Sequence, residues 1–303
     1  MTTDRTALEF NQCRTRLFGL AYRLLGSAAE AEEVIQDAYI RLYQADRAAI
    51  ESLPAWLAKV VTNLCLNRLT SLTRQREQYI GPWLPEPVLT QDGALGPMET
   101  AEQRDSVSFA LLVLLERLSP SERAVFVLRQ AFAYSYRDVA QVLDMTEANC
   151  RQVFLRAKAR VGEGRHRFEP NQRRQADLVE LFLSAARDGD LHALERFLAD
   201  DVVAWSDGGG KATAGRRPVR GAVKVARLAA GMFAKFTDGL TISLAQVNGT
   251  PTVIGVAGST LLGVWVIEVT DNRISALHAV SNPDKLAFLA GQLSHSGGVA
   301  GSF

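Results

Sequence analysis

Three helix starts crowd into thirty residues, and that crowding limits what this part of the chain can become. Ser119-Pro120-Ser121-Glu122 reads as a capping box with proline at the first helical position. Ser135 caps a second, short helix ending near Leu143, Asp144-Met145 makes a turn, and Thr146 caps a third helix. That third helix places Cys150, Val153, Phe154, Ala157 and Val161 on one apolar stripe. Two short helices joined by a tight turn, the second followed by basic residues, describe a helix-turn-helix.

The charge pattern agrees. Arg151 to Arg174 holds eight Lys/Arg against two Asp/Glu, whereas Gly81 to Asp105 holds five acids and one base. From Ala176 onward eleven bases face twelve acids. A basic cluster inside a chain of net charge +1 points to nucleic acid better than a basic total would. Opposite the apolar stripe stand Asn149, Arg151, Gln152 and Arg156, with Lys158 and Arg160 beyond. Arg and Gln can make bidentate contacts to guanine and adenine edges, and flanking bases would meet phosphates. A helical hairpin with a solvated basic face is the plainer alternative.

The flanking regions have different periodicities. Residues 7–72 read as helices, with Ser27 and Glu30 forming a capping box. Val34, Ile35, Ala38, Tyr39, Leu42 and Tyr43 then make one stripe, with Glu32, Glu33, Gln36, Asp37 and Arg41 outside it. A helix starting near Pro54 carries Trp56, Val60, Val61, Leu64 and Leu69, with Lys59, Asn63, Asn67 and Arg68 between. Periodicity alone makes these a plain helical bundle. Residues 73–100 mix Pro82, Pro85, Pro87 and Pro97 with Gly81, Gly93 and Gly96, the composition of an extended linker and not of a packed element. Helices resume near Glu102.

After Ala176 come helices at 176–186 and 190–199, then Val-, Ile-, Thr- and Gly-rich strands near 201–206, 240–247, 252–258, 260–269 and 273–280, with a helix near 221–236. Leu240 to Ile267 is uncharged over 28 residues, but Asn248-Gly249 marks a hairpin turn, so strands and not a membrane span are expected. The expected fold is multidomain. Two all-α parts, a helical bundle over 1–72 and a helix-turn-helix over 101–172, flank the 73–100 linker, and an α+β part occupies 173–303.

Cys13, Cys65 and Cys150 are odd in number and lack metal-type spacing, and the N-terminal MTTDRTALEF has no apolar signal region. No metal, no cofactor, no membrane and a cytoplasmic location are therefore expected.

Three segments carry a family resemblance: RLLGSAAEAEEVIQDAYIRLYQ, PAWLAKVVTNLCLNRL and LSPSERAVFVLRQAFAYSYRDVAQVLDMTEANCRQVFLRAKARV. In this order and spacing, over about residues 8–165, they resemble the extracytoplasmic-function sigma factors. The resemblance implies that Glu33, Gln36 and Asp37 bind the clamp helices of the RNA polymerase β′ subunit. It also implies that Trp56, Asn63 and Arg68 read and melt the −10 element, and that Asn149, Arg151, Gln152 and Arg156 read the −35 element. Contact with the β flap belongs to the same implication, as does an acidic linker threading the polymerase's nucleic-acid channel.

Trp83-Leu-Pro-Glu-Pro87, Asp207-Gly-Gly-Gly-Lys211 and Asn282-Pro-Asp-Lys-Leu286 match the signatures of the sigma subgroup with a SnoaL-like C-terminal extension. This second resemblance implies a cone-shaped α+β barrel that regulates the sigma factor in cis, through Trp83, Pro85, Glu86, Asp207, Gly208, Gly209, Gly210, Lys211, Asn282, Pro283 and Asp284. Read locally, Asp207 and Lys211 could be a docking loop, an anion site or ordinary loop charges, and Asn282-Pro-Asp could be a simple helix cap. Asp207, His278 and Trp205 are the nearest to a catalytic set, but no paired acids or activated nucleophile accompany them, so no enzyme is expected. A small-molecule ligand for the C-terminal part stays open, and a free monomer is expected. The rival reading is a stand-alone, ligand-responsive helix-turn-helix regulator.

Overall fold

The computed structural model describes residues 2–90, 95, 106–162, 172–235 and 239–295. The chain forms two compact units: residues 1–78 with 90–165, and residues 79–89 with 166–303. The chain thus leaves the first unit after Gln78, contributes eleven residues to the second, and returns.

In the first unit α1 (Thr2–Leu25), α2 (Ala28–Gln44) and α3 (Leu53–Glu77) pack on one another. Leu20, Ala21, Tyr22, Leu24 and Leu25 of α1 meet Val34, Ile35, Ala38 and Leu42 of α2 and Leu57, Val61 and Cys65 of α3, all buried. Half of the Ser27 capping box forms as expected, with the Glu30 N–H donating to Ser27 Oγ at 3.1 Å; the Glu30 carboxylate goes to Arg68. Tyr43 departs from the expected stripe. Tyr39 packs edge-on against Phe10, but Tyr43, one turn further at the helix end, is 65% exposed. Helix α3 also runs five residues past the expected boundary, to Glu77, because Ser71 to Glu77 contains no proline or glycine to stop it.

The same unit continues with α4 (Phe109–Leu115), α5 (Pro120–Gln130), α6 (Tyr136–Leu143) and α7 (Glu147–Gly162). The capping box of α5 is complete between Ser119 and Glu122, and Ser135 forms another with Asp138. Asp144 takes the left-handed turn at φ 52°, and Thr146 Oγ1 accepts the Asn149 N–H at 3.2 Å. Two arginines are buried where α1 and α3 meet the later helices. Arg23 donates to Ser106 Oγ (2.7 Å) and Gly19 O (2.9 Å). Arg123 donates to Glu116 Oε1 (2.5 Å) and to Arg23 O (3.3 Å), and Glu116 also holds Arg76. Burial pulls both guanidinium pKa values down, to about 10 for Arg23 and about 9 for Arg123, and the carbonyl and carboxylate acceptors make the charges tolerable.

In the second unit α8 (Gln172–Asp188) and α9 (Leu191–Phe197) lead into a six-stranded sheet. Its strands are β1 (Leu198–Asp207), β2 (Val219–Arg220), β3 (Leu240–Val247), β4 (Thr250–Ala257), β5 (Thr260–Thr270) and β6 (Arg273–Val280). The order is β2-β1-β6-β5-β4-β3. β1 and β6 are parallel and the other neighbours antiparallel. Asn248-Gly249 makes the expected β3–β4 turn, both residues at positive φ (53° and 75°). Helix α10 (Ala222–Lys235) packs with α8 and α9 over β1, and α11 (Pro283–His295) packs along β5. Phe182, Val202, Val225, Ala226, Val253, Ile267 and Ile274 form the core between helices and sheet. The sheet is open, with β2 and β3 as its edges. The expected cone-shaped barrel is thus not closed: the sheet's two ends, β2 and β3, do not pair.

The 79–89 segment also corrects an expectation. It is extended, as its prolines require, but Leu84 to Leu89 are all buried, so it is a packed element. Residues 91–94 and 96–100 of the expected linker lie outside the described residues.

Candidate functional site: a helix-turn-helix face and a buried linker clasp

The face of α7 opposite its buried Cys150, Val153, Ala157 and Val161 carries Asn149, Arg151, Gln152 and Arg156, all exposed. The 3.6-residue period puts Asn149, Gln152 and Arg156 in one line. Arg151 lies to one side, its guanidinium 5.1 Å from the Tyr136 ring centroid. Leu155, 61% exposed, joins the same face and was not singled out from the sequence. An apolar side chain between amide and guanidinium groups suits a thymine methyl.

On α2, Glu33 and Gln36 are exposed and Asp37 is half-buried, with Ile40, 52% exposed, beside them. Arg68 of α3 reaches across to this helix. Its Nη1 donates to Glu30 Oε2 (2.5 Å) and Glu33 Oε2 (2.6 Å), and its Nη2 to Asp37 Oδ2 (3.1 Å). Desolvation opposes the charge, but the three carboxylates more than offset it and hold the guanidinium above its ordinary pKa. The structure therefore joins Arg68 to two of the residues expected on a different surface, Glu33 and Asp37. Trp56 and Asn63 are half-buried on α3. Trp56 shares a cleft with Phe132 and Tyr134, and Lys59 pairs with Asp144 (2.7 Å) and donates to Gln141 O (3.0 Å). The first turns of α3 thus face the helix-turn-helix within this unit.

The second unit closes around its own piece of linker. Asp207, the last residue of β1, is 0% exposed. Its Oδ1 accepts the Tyr79 hydroxyl at 2.5 Å, and its Oδ2 accepts the Leu84 N–H (2.8 Å) and Lys285 Nζ (2.7 Å). Lys285 also donates to Leu84 O at 2.5 Å, and its ammonium lies 4.0 Å from the Trp83 ring centroid and 4.7 Å from that of Tyr79. An aromatic pair, a carboxylate and a carbonyl thus surround one buried cation. Burial and then the Asp207 carboxylate hold the Tyr79 hydroxyl well above its usual pKa, so it stays a donor.

Asn282 satisfies both readings offered for it. Its Oδ1 accepts the Asp284 N–H (3.1 Å) at the start of α11, with Pro283 in the first turn, while its Nδ2 donates to Tyr79 Oη at 2.8 Å. The three glycines have separate reasons. At Gly208 a Cβ would lie 2.5 Å from Ala212 O. Gly209 and Gly210 have φ of +57° and +73°, and a Cβ there would meet Tyr79 Oη and the Ile80 side chain, each at 2.9 Å. So Asp207 is no ordinary loop charge. Lys211 is closer to one, pairing in the open with Asp284 at 2.5 Å.

Beyond Trp83, Pro85 and Glu86 are buried, and the segment ends in a single bridge to the edge of β3. Val88 and Asn248 exchange bonds, Val88 N–H to Asn248 Oδ1 (3.1 Å) and Asn248 N–H to Val88 O (2.9 Å). The Leu89 N–H donates to Gln292 Oε1 at 2.9 Å, and Leu89 bridges Val247 antiparallel. As holders of this segment, sequence reasoning missed Tyr79, Lys285, Asn248 and Gln292, although Asn248 was read as a hairpin turn and Lys285 stood within the Asn282–Leu286 motif. His278 pairs with Glu268 at 2.6 Å and stacks on Trp205, with ring centroids 4.9 Å apart; on β6 it stands two residues before Val280, the register partner of Asp207. No helix among the described residues is long and apolar enough to cross a membrane.

Comparison with known proteins matches this architecture. Residues 10–75 fit the Sigma-70 region 2 family and residues 108–161 the Sigma-70 region 4 family. The chain is 36% identical over 288 residues, 91% of its length and 92% of the relative's, to the ECF RNA polymerase sigma factor SigJ of Mycobacterium tuberculosis (strain ATCC 25618 / H37Rv). It is 30% identical over 302 residues, 96% of its length and 98% of the relative's, to the probable ECF RNA polymerase sigma factor SigI of the same strain. The crystal structure of Mycobacterium tuberculosis SigJ superposes with a TM-score of 0.73 at 33% identity, covering 93% of this chain and 98% of that one. With two sigma regions in order, a solvent-facing recognition helix and relatives matched nearly end to end, this chain belongs to the ECF RNA polymerase sigma factors, which bring RNA polymerase to its promoters.

Proposed function

We propose that this sigma factor is controlled by its own C-terminal unit through the clasp on residues 79–89. The observation that carries the reading is the buried Asp207 carboxylate, whose three donors are two linker groups, Tyr79 Oη and the Leu84 N–H, and Lys285 of α11. A linker held at this point limits how far the sigma regions joined by it can part. Those regions pack together in the first unit, where Trp56 and Lys59 face the helix-turn-helix. A promoter needs its −10 and −35 readers about two duplex turns apart, so loosening the clasp should favour initiation.

In the same proposal Glu33, Gln36 and Asp37, with Ile40, meet the polymerase clamp. Trp56 and Asn63 work at the −10 element, and Asn149, Arg151, Gln152 and Arg156 at the −35 element. Arg68 acts at −10 after exchanging its carboxylates for phosphate, which ties polymerase contact to promoter contact. The C-terminal sheet is an opened form of the SnoaL-like fold, serves regulation and not catalysis, and takes a small-molecule ligand. The free protein is a monomer.

In vitro transcription with core polymerase tests the control. Full-length protein, its Tyr79→Phe variant and a chain ending at Arg174 are compared on one promoter. Initiation above the full-length level by Tyr79→Phe supports the clasp as a restraint. Equal initiation by all three removes it.

A further inference from the structure

A cavity open at one side lies between α8, α10 and the sheet of the second unit, with about 50 Å³ of room for the centre of a water-sized sphere. Leu183, Val225, Ala229, Ile242, Val253 and Ile267 are among its walls. Among the described lining residues none carries a charge, and Ser206 is the one aliphatic hydroxyl. The acid–base pair Glu268–His278 is not part of the lining, and Asp207 is committed to Lys285. The chamber therefore has the walls for binding and lacks the groups for proton transfer.

Two features show that it is built and not a packing defect. The Trp265 ring occupies a slot cleared by glycine: a Cβ at Gly255 would lie 2.7 Å from its Cζ3, and Gly263 stands beside the same ring. Leu228, Met232, Phe233 and Leu240, large apolar side chains that ordinarily close a core, are left half-buried around the space. An apolar void of this kind stays dry and gains from a guest without hydrogen-bonding needs. A charged guest would lose its hydration with no partner in return.

We infer that this cavity is a binding site for an uncharged, predominantly apolar small molecule, and that its occupancy acts on the linker clasp. The inference deepens the proposed self-regulation and rests on it for the second half. Ala204 and Ser206 of β1 and Leu277 and Ala279 of β6 line the cavity. The next residue of β1 is Asp207, paired in register with Val280, and the Ser281 and Asn282 N–H groups donate to Asp207 O. The strands that form the cavity wall thus end in the residues that hold Tyr79 and Leu84. A guest that shifts either strand end changes the grip.

Equilibrium dialysis of the full-length protein tests this with 2-naphthol and 1-octanol as neutral probes and naphthalene-2-sulfonate as the charged counterpart. The neutral probes should saturate at about one per chain, and the sulfonate should bind about tenfold weaker or worse. Ala229→Leu, on the wall, and Met232→Trp, at the half-exposed rim, should each weaken 2-naphthol by about tenfold or more. Chymotrypsin cleavage at Tyr79 or Trp83 should change in rate when 2-naphthol is bound. Uptake that does not saturate, equal binding of the sulfonate, or unchanged affinity in both variants overturns the site. Saturable binding with unaltered cleavage overturns the coupling alone. Transcription assays on the same preparations separate these results from a failure of the regulatory reading, because dialysis needs no polymerase.

Discussion

Arg68 and Lys285 are each a cation set among oxygen acceptors, but they sit in opposite solvents. Arg68 is partly exposed and bridges three carboxylates on a helix surface. Lys285 is buried against a fully buried Asp207 and two aromatic rings. Water and salt can replace the partners of Arg68, so that cluster can open at little cost. No solvent reaches Asp207 and little reaches Lys285, so loss of one member strands the other. At these two clusters the sigma unit keeps its cation within reach of solvent, whereas the C-terminal unit commits its own to its chain.

The sharpest way to break this contrast is Lys285→Ala. It leaves Asp207 buried without its cation and should cost the second unit about 3–5 kcal/mol in chemical denaturation. A loss below about 1 kcal/mol would mean that Asp207 reaches water and the two clusters are alike. Tyr79→Phe removes a bond to a charged acceptor and should cost about 1.5–3 kcal/mol. Its pH dependence adds a second readout. The folded-state pKa of Tyr79 is raised, so its stabilisation is fully present below the ordinary tyrosine range and is lost as pH climbs beyond about 10. The wild type should therefore lose stability in alkali more steeply than Tyr79→Phe.

Next in size, Arg156→Ala should weaken promoter binding by about 1–3 kcal/mol in a holoenzyme gel-shift assay while leaving the melting curve in place. Smallest of all, Lys211→Ala breaks an exposed pair with Asp284 and should change stability by about 1 kcal/mol or less, vanishing at high salt. Arg68→Gln belongs with it in stability, and a large effect there would erase the distinction between the clusters.

What could be read from the sequence follows the range of the forces involved. The helix-turn-helix was legible because caps, turn and stripe are encoded within a few residues: Ser119 with Glu122, Ser135 with Asp138, and Thr146 with Asn149 each bond three positions apart. The β3–β4 hairpin was legible for the same reason in Asn248-Gly249. Tyr79 and Lys285 were not, since their partners stand 128 and 78 residues away at Asp207 and no local pattern marks a tyrosine as a clasp. Composition suggested a loose linker over 73–100, because proline reports the shape of a segment and not what covers it. Tyr43 failed differently: periodicity assigns a face, but whether anything covers the last turn is a tertiary matter.

The clasp also imposes an order in time. Tyr79 must wait for Asn282, 203 residues further along the chain. At ribosomal speeds of about 5–20 residues per second, that is a delay of about 10 to 40 s. The second sigma region is complete only at about residue 161, so in the later part of that interval both sigma regions exist with their linker ungripped, and under the proposed control each newly made molecule passes through a brief unrestrained period before Asn282 is made.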